Sequence, residues 1–322
     1  MPLIRQAIAS LCVLVTLGVA ASGQPYPSRV IKLVVPYPPG GAVDITGRLL
    51  AERLQKELNA TIVVENKVGA AGTLGANFVA KAEPDGYTIL LSGAATHAFA
   101  PSLFKAMPYN PVVDFVPITQ VLEGPLGLTV KADAGIKDLA GFITTMKDKR
   151  GPHDYASNGY GTYPHLAMEF LKQTAGIELM HVPFRGGNES VTALLGGQVQ
   201  ATLNHLPVVR PQAEAGKFRV LATSGATRAQ VLPNIPTLKE SGYDVVASAW
   251  FGLFAPARTP RDIVDKIAAA VARAVQDPGV KEKLLAQGDE VRAEGPDKFL
   301  AHQKSELERW TRVIGKAGIE PN

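Results

Sequence analysis

The chain has 322 residues, 46% of them hydrophobic and 19% charged, with a formal net charge of +4 at pH 7. Its basic residues are scattered, so no Lys/Arg stripe suits a nucleic-acid partner, and its length allows one large domain or two ordinary ones. The only cysteine, Cys12, lies near the N-terminus, which excludes disulfides, cysteine metal ligands and a thiol nucleophile from the rest of the chain.

The first residues have the pattern of a secretory signal. Arg5 supplies a positive start, Ala7 to Ala21 carries no charge, and Ala21-Ser22-Gly23 offers small residues suited to cleavage. The uncharged run is shorter than the roughly 20 residues that span a bilayer, so residues 1–23 are expected to be removed and not to anchor the chain. A buried N-terminal helix is the alternative. Leu11 stands before Cys12 where a lipoprotein signal requires a small residue, so lipidation is not expected. The mature chain, from near Gln24, is expected to be an exported soluble protein.

From there, strand and helix patterns alternate. Val30 to Val35 is a buried strand, and Ile45 to Leu58 a helix whose Leu50, Leu54 and Leu58 recur every fourth position. Thr61 to Glu65 is a β-branched strand, Leu74 to Ala82 a helix, Glu83-Pro-Asp-Gly86 a turn, and Thr88 to Ser92 a strand. This β-α-β-α-β order predicts a parallel sheet with helices on its faces. A second unit of the same kind follows. Its strands are Asp154 to Ser157, Leu179 to Phe184, Ala201 to His205 and Arg219 to Thr223. Its helices are His165 to Gln173, Ser190 to Leu195 and Val208 to Ala215.

Two long β-prone stretches separate and close these units: Ile118 to Val130, with Gly124-Pro125 in its middle, and Val245 to Phe254. If each passes between units, the molecule has two lobes joined by two strands, and C-terminal helices complete the first. The expected division is residues 24–121 with 249–322 for lobe 1, and residues 122–248 for lobe 2. One closing helix starts at Pro260, with Thr259 as its cap, and runs through Ile267 to Val275. The last carries Phe299, Leu307, Trp310 and Ile314.

The turns after the first strand of each unit are the candidate site. Pro36-Tyr-Pro-Pro-Gly-Gly-Ala-Val-Asp44 includes Tyr37, Pro39, Gly40 and Gly41. Ligands of open parallel sheets sit at the carboxyl ends of strands, where the first helical N–H groups lack partners. Gly40 and Gly41 would let an anion approach those amides closely, and Asp44 could cap the helix or accept from a ligand. A tight turn without a ligand explains the stretch equally well. The second unit offers Ser157-Asn-Gly-Tyr-Gly-Thr-Tyr-Pro-His165, with Asn158, Gly159, Gly161, Thr162 and His165 as candidates. Pro164 breaks a dinucleotide fingerprint and no Gly-Lys-Ser/Thr follows, so no nucleotide cofactor is expected. Facing each other across a cleft, the two turns could grip a small dianion.

Other turns at the same sheet edges add Ala95, Thr96 and His97 after the third strand, and Arg185 and Asn204 in the second unit. Arg185 could pair with a carboxylate or remain a solvated surface residue. Tyr37, Phe184 and Trp250 could wall a cleft or belong to the core. His97, His165 and His205 lie on separate turns with no His-x-x-x-His pair, so a metal site is not expected. There is no Gly-x-Ser-x-Gly elbow and no His-Glu-x-x-His, and no spacing singles out a catalytic triad. A binding protein, a hydrolase with a histidine base and a cleft kept only as a relic all remain open on these residues.

The segments "PYPPGGAVD", "ATHAFAPSLFKAMPYNPVVDFVPI", "ASNGYGTYPHLAMEFL", "HVPFRGGNESVTALLGGQV", "LPNIPTLKESGY" and "WFGLFAPARTP" run in order over nearly the whole mature chain. In them the chain resembles the periplasmic solute receptors of tripartite tricarboxylate transporters, the Bug receptors. The resemblance implies an α/β, two-lobed type II periplasmic binding protein, its two Rossmann-like lobes joined by two crossing strands. It implies a periplasmic, monomeric, non-enzymatic protein that binds a small carboxylate, an organic, amino or aromatic acid. It also implies membrane transporter components or a sensor kinase as partners, and a ligand held mainly by backbone and ordered water. The gripping turns map onto Tyr37 to Asp44 and Ser157 to His165. Three places depart from the common pattern: Ala42-Val43, Ala94-Ala95, and Phe184-Arg185, where Tyr-Lys is frequent.

Overall fold

The computed structural model describes residues 25–148, 153–286 and 288–321, so the expected signal at residues 1–23 lies outside the described residues. Strands β1 (Ile31–Val35), β2 (Ile62–Asn66) and β3 (Thr88–Gly93) form a parallel ladder in the order β2-β1-β3. Helices α1 (Ala42–Leu58) and α2 (Thr73–Ala80) connect them. A single π turn, Ala95–Phe99, leads into the short helix α3 (Ala100–Leu103). The long strand β4 (Phe115–Lys131) follows, then α4 (Leu139–Lys147). Asp138 caps α4 by accepting the Gly141 N–H at 2.8 Å.

The second unit comprises β5 (Asp154–Ser157), α5 (Tyr163–Ala175), β6 (Met180–Pro183), α6 (Gly187–Leu195), β7 (Ala201–His205), α7 (Leu206–Glu214) and β8 (Phe218–Thr223). β5 pairs in parallel with both β6 and β7. The chain then returns through β9 (Ser248–Pro256), α8 (Arg261–Ala274), α9 (Pro278–Ala286), β10 (Glu290–Glu294) and α10 (Pro296–Lys316). Most expected elements appear, with ends moved by a few residues. The sequence reading lacked α3, α4, α9 and the polar strand β10. It also placed the cap of α8 at Thr259, whereas the cap position is Pro260 and the Thr259 hydroxyl donates to the Pro256 carbonyl at 2.8 Å.

β4 is the member common to both sheets. Up to Pro125 it pairs antiparallel with β9, and β10 lies on its other side. From Leu126 onward it pairs with β7 and from Gly127 with β8. The order is therefore β2-β1-β3-β9-β4-β10 in one sheet and β6-β5-β7-β4-β8 in the other. β8 does not extend the parallel ladder beside β7; β4 stands between them. Ser224 ties the two crossing segments: its hydroxyl accepts the Leu126 N–H at 2.9 Å and donates to the Ala247 carbonyl, and its own carbonyl accepts the Ala247 N–H at 2.8 Å.

Each face of the first sheet buries its own core. Leu33, Leu50, Leu54, Ile267 and Val271 fill the layer between β1, α1 and α8. The opposite layer runs on into the second unit. There Phe99, Tyr163 and Trp310 meet edge to face, with centroids 5.0, 5.1 and 5.3 Å apart. Glu306, 2% exposed, lies beneath these rings. Its carboxylate accepts from Trp250 Nε1 at 3.0 Å, Trp310 Nε1 at 2.9 Å and Arg309 Nη1 at 2.6 Å, and Tyr163 Oη, whose proton goes to the Ser248 carbonyl, lies 3.4 Å away. A buried carboxylate is tolerated only when paired and hydrogen-bonded, and each of these donors answers that need. Glu306→Ala would strand two indole N–H groups and remove the ion-pair partner of Arg309, which keeps its bond to the Val246 carbonyl. The expected loss is about 3 kcal/mol, read as a lower urea midpoint with an unchanged slope; a loss below about 1 kcal/mol would show that the cluster is only packing.

Candidate functional site

A cleft of about 450 Å³ opens between the two units. Tyr37, Val43, Ala71, Ala94 and Ala95 line it from the first unit. Tyr160, Gly161, Thr162, Tyr163 and His205 line it from the second, and Ala249, Trp250 and Phe251 of β9 close its floor. Gly161 approaches closely: a Cβ built there would lie 3.0 Å from Leu103 Cδ1, and its φ of +72° is left-handed backbone that favours glycine.

The two Gly-rich turns are therefore brought to one cleft, but their parts are used differently from the expectation. Gly40 has φ +79° and its N–H donates to Asp44 Oδ2 at 2.9 Å, while the Gly41 N–H faces the Pro38 carbonyl at 3.3 Å. Neither glycine amide is free. Gly41 is the extended N-cap of α1, and the unpaired amides are those of the following first turn, including Val43 and Asp44. Asp44 is 2% exposed and already saturated. It also takes Arg48 Nε at 2.9 Å and Asn66 Nδ2 at 2.9 Å, and these donors hold its pKa down to about 2. Its bonds fix the turn. Pro39 is exposed, outside the cleft lining.

In the second turn, Thr162 is the N-cap of α5 and its hydroxyl donates to the Gly159 carbonyl at 2.7 Å. The Gly161 N–H donates to His165 Nδ1 at 3.0 Å, and the Gly159 N–H to the Ser157 hydroxyl at 3.1 Å. Gly159, at φ +122°, shapes this turn. The side-chain amides of Asn158 and Asn204 bond to each other reciprocally at 3.1 and 2.8 Å, and Ser190 joins them. Tyr163, Pro164 and His165 open α5, so the N–H groups of Tyr163 and His165 are unpaired and Pro164 has none to lose.

Other expected side chains do not reach the cleft. His97 is 0% exposed, stacked on Phe254 at 3.8 Å, with Nδ1 2.7 Å from the Thr96 hydroxyl. Thr96, equally buried, also lies 2.7 Å from the Ser92 hydroxyl. Arg185 is exposed and absent from the lining. Of the proposed wall residues, Tyr37 and Trp250 line the cleft, whereas Phe184 packs with the core beneath α6. Sequence reasoning missed Ala71, Phe99, Leu103, Phe104 and Phe251. Only Ala71 had a visible signal: the small run Gly69-Ala-Ala-Gly72, where Ala70 and Ala71 take left-handed φ of +45° and +53°.

Ser157 Oγ lies 2.6 Å from His181 Nε2, a pairing that resembles a nucleophile and its base. Ser157 is 0% exposed, however, and its oxygen also accepts the Gly159 N–H, so it serves as the staple of the turn. His181 stacks on His165 at 3.9 Å, and burial keeps both rings neutral, with pKa values of about 4 and about 3.

Burial likewise lowers His97 to about 3 and His205 to about 4. Below the unfolded pKa of about 6.5 the unfolded chain takes up protons that these folded histidines refuse, so their contribution is lost as pH falls. Asp289, beside Gly124 at the crossing strands, acts oppositely: burial raises it to about 7, so its folded carboxyl binds protons that the unfolded one has released. Histidines outnumber it, and the urea midpoint should drop steadily as pH is lowered from about 6.5 to 4. Asp289→Asn removes the offset and should steepen that drop; an unchanged or shallower slope would contradict this balance.

The model of the tripartite tricarboxylate transporter family receptor matches residues 46–319. Protein BugT of Bordetella pertussis is 35% identical over 309 residues, covering 95% of each chain. A Rhodopseudomonas palustris protein solved with adipate is 32% identical with a TM-score of 0.77, over 92% of this chain and 100% of the other. MatC of R. palustris, solved with malate, is 32% identical with a TM-score of 0.73, over 90% of this chain and 100% of the other. The fold is thus that of the periplasmic solute-binding proteins, and the chain belongs to the tripartite tricarboxylate transporter receptor family.

Proposed function

We propose that this protein is an exported solute receptor that closes two lobes on a small carboxylate. It then delivers the ligand to the membrane components of a tripartite tricarboxylate-type transporter or reports it to a sensor kinase. One observation carries the reading: the unpaired first-turn amides of α1 and α5 belong to opposite lobes and lie beside one cleft. Helix N-termini favour anions through both free N–H groups and the helix dipole. The relatives solved with adipate and malate support a carboxylate as that anion.

In this reading lobe 1 is residues 24–121 with 249–322, and lobe 2 is residues 122–248. The change of β4 partners after Pro125 and the Ser224 tie at Ala247 support boundaries near those positions. The receptor acts as a monomer in the periplasm and performs no chemistry. A hydrolase would need an accessible nucleophile, and Ser157, the serine paired with His181, is buried and committed to its turn.

Closure strengthens the grip because hydrogen bonds in a dry cleft act through a lower dielectric. The test is a thermal-shift screen of small organic acids, followed by mass spectrometry of each hit after incubation. A raised melting temperature with intact ligand is expected; conversion of the ligand, or no response to any acid, would refute the proposal. Gly161→Val should weaken the best acid about tenfold, because a side chain there strains a left-handed residue and meets Leu103. Titration calorimetry reads this directly, and undiminished affinity would remove Gly161 from the closed contact.

A further inference from the structure

The walls of the cleft specify more than the amides that would hold an anion. Aromatic rings face it from both lobes: Tyr37, Phe99 and Phe251 from one side, Tyr160 and Tyr163 from the other. Among the described residues, no Lys, Arg, Asp or Glu lines it. Its polar side chains are largely committed. Thr162 Oγ1 donates to the Gly159 carbonyl at 2.7 Å, and Tyr163 Oη to the Ser248 carbonyl at 2.6 Å. His205 is held neutral by burial, so it brings no charge at neutral pH.

These facts separate ligand classes. One carboxylate is served by the helix N-termini. A second one, pressed against the rings, would shed its hydration without meeting a cation. A flat apolar body has the opposite balance, since it exchanges water for ring contacts of offset or edge-to-face geometry. The cleft volume of about 450 Å³ lies within the range of small-molecule sites and accommodates a single ring with its carboxylate. Tyr160, 54% exposed at the tip of the second turn, is placed to cover such a ring as the lobes close.

Resting on the receptor reading above, we infer that the cleft selects a monocarboxylate with a flat aromatic body over linear dicarboxylates of the kind bound by the two R. palustris relatives. Titration calorimetry of the full mature chain near neutral pH would compare benzoate, cyclohexanecarboxylate, adipate and malate. Benzoate should bind at least about tenfold more tightly than adipate or malate, with the saturated ring between them. Tyr160→Ala and Phe251→Ala should each cut benzoate affinity by roughly fivefold or more. Tyr160 lies on an exposed turn, so its variant keeps the test valid if the Phe251 variant fails to fold. Adipate or malate binding as tightly as benzoate would overturn the aromatic selectivity and leave the receptor reading standing. Failure of all four acids to bind would overturn the aromatic selectivity, and the receptor reading would fall with it only if the wider acid screen is also silent.

Discussion

The carboxylate of Glu306 is the constraint on which the arrangement rests. It stands on the last helix, yet it bonds to β9 through Trp250 and to its own helix through Trp310 and Arg309, with the Tyr163 phenol of the second lobe 3.4 Å away. The same Tyr163 opens α5, so the second turn is anchored beside this buried carboxylate. Its phenol also donates to the Ser248 carbonyl at the return crossing. One carboxylate thus ties the last helix to β9 at the base of the cleft. The aromatic triple above it excludes water, which strengthens every bond it makes.

Most of the polar side chains near the cleft build it and do not face into it. Asp44 binds its own turn, Asn158 and Asn204 bind each other, and His165 accepts from Gly161. Their work is to hold backbone amides in place. Preorganised donors lose little entropy on binding, so a site of this kind binds an anion without presenting a cation. The price is generic chemistry at the grip, which leaves discrimination to the walls.

The fold was largely legible because its signals are local. Leu50, Leu54 and Leu58 mark α1, and the β-branched run Thr61 to Glu65 marks β2. β10 was not legible, since Glu290-Val-Arg-Ala-Glu294 has one strong apolar residue and owes its state to pairing with distant β4. The position of the site was legible from the Gly-rich turns, but the function of each residue in it was not. Gly40 and Gly41 read as free donors, yet Asp44 and Pro38 claim their amides. His97 read as a cleft residue because it follows β3, yet the π turn carries its ring into the core against Phe254. Phe251 joins Phe99 and Phe104 in the cleft's aromatic wall from a strand about 150 residues downstream, a neighbourhood that only the tertiary fold creates.

The course of the chain through the first sheet sets the order in which the molecule can be made. β3 lies against β9, and the layer behind β1 is sealed by α8, so the opening strands lack their covering until residues far downstream arrive. A polypeptide emerging from the ribosome cannot complete this half early. Its sheet can be sealed only once the last helices are available, so the two ends of the chain must meet before either is secure.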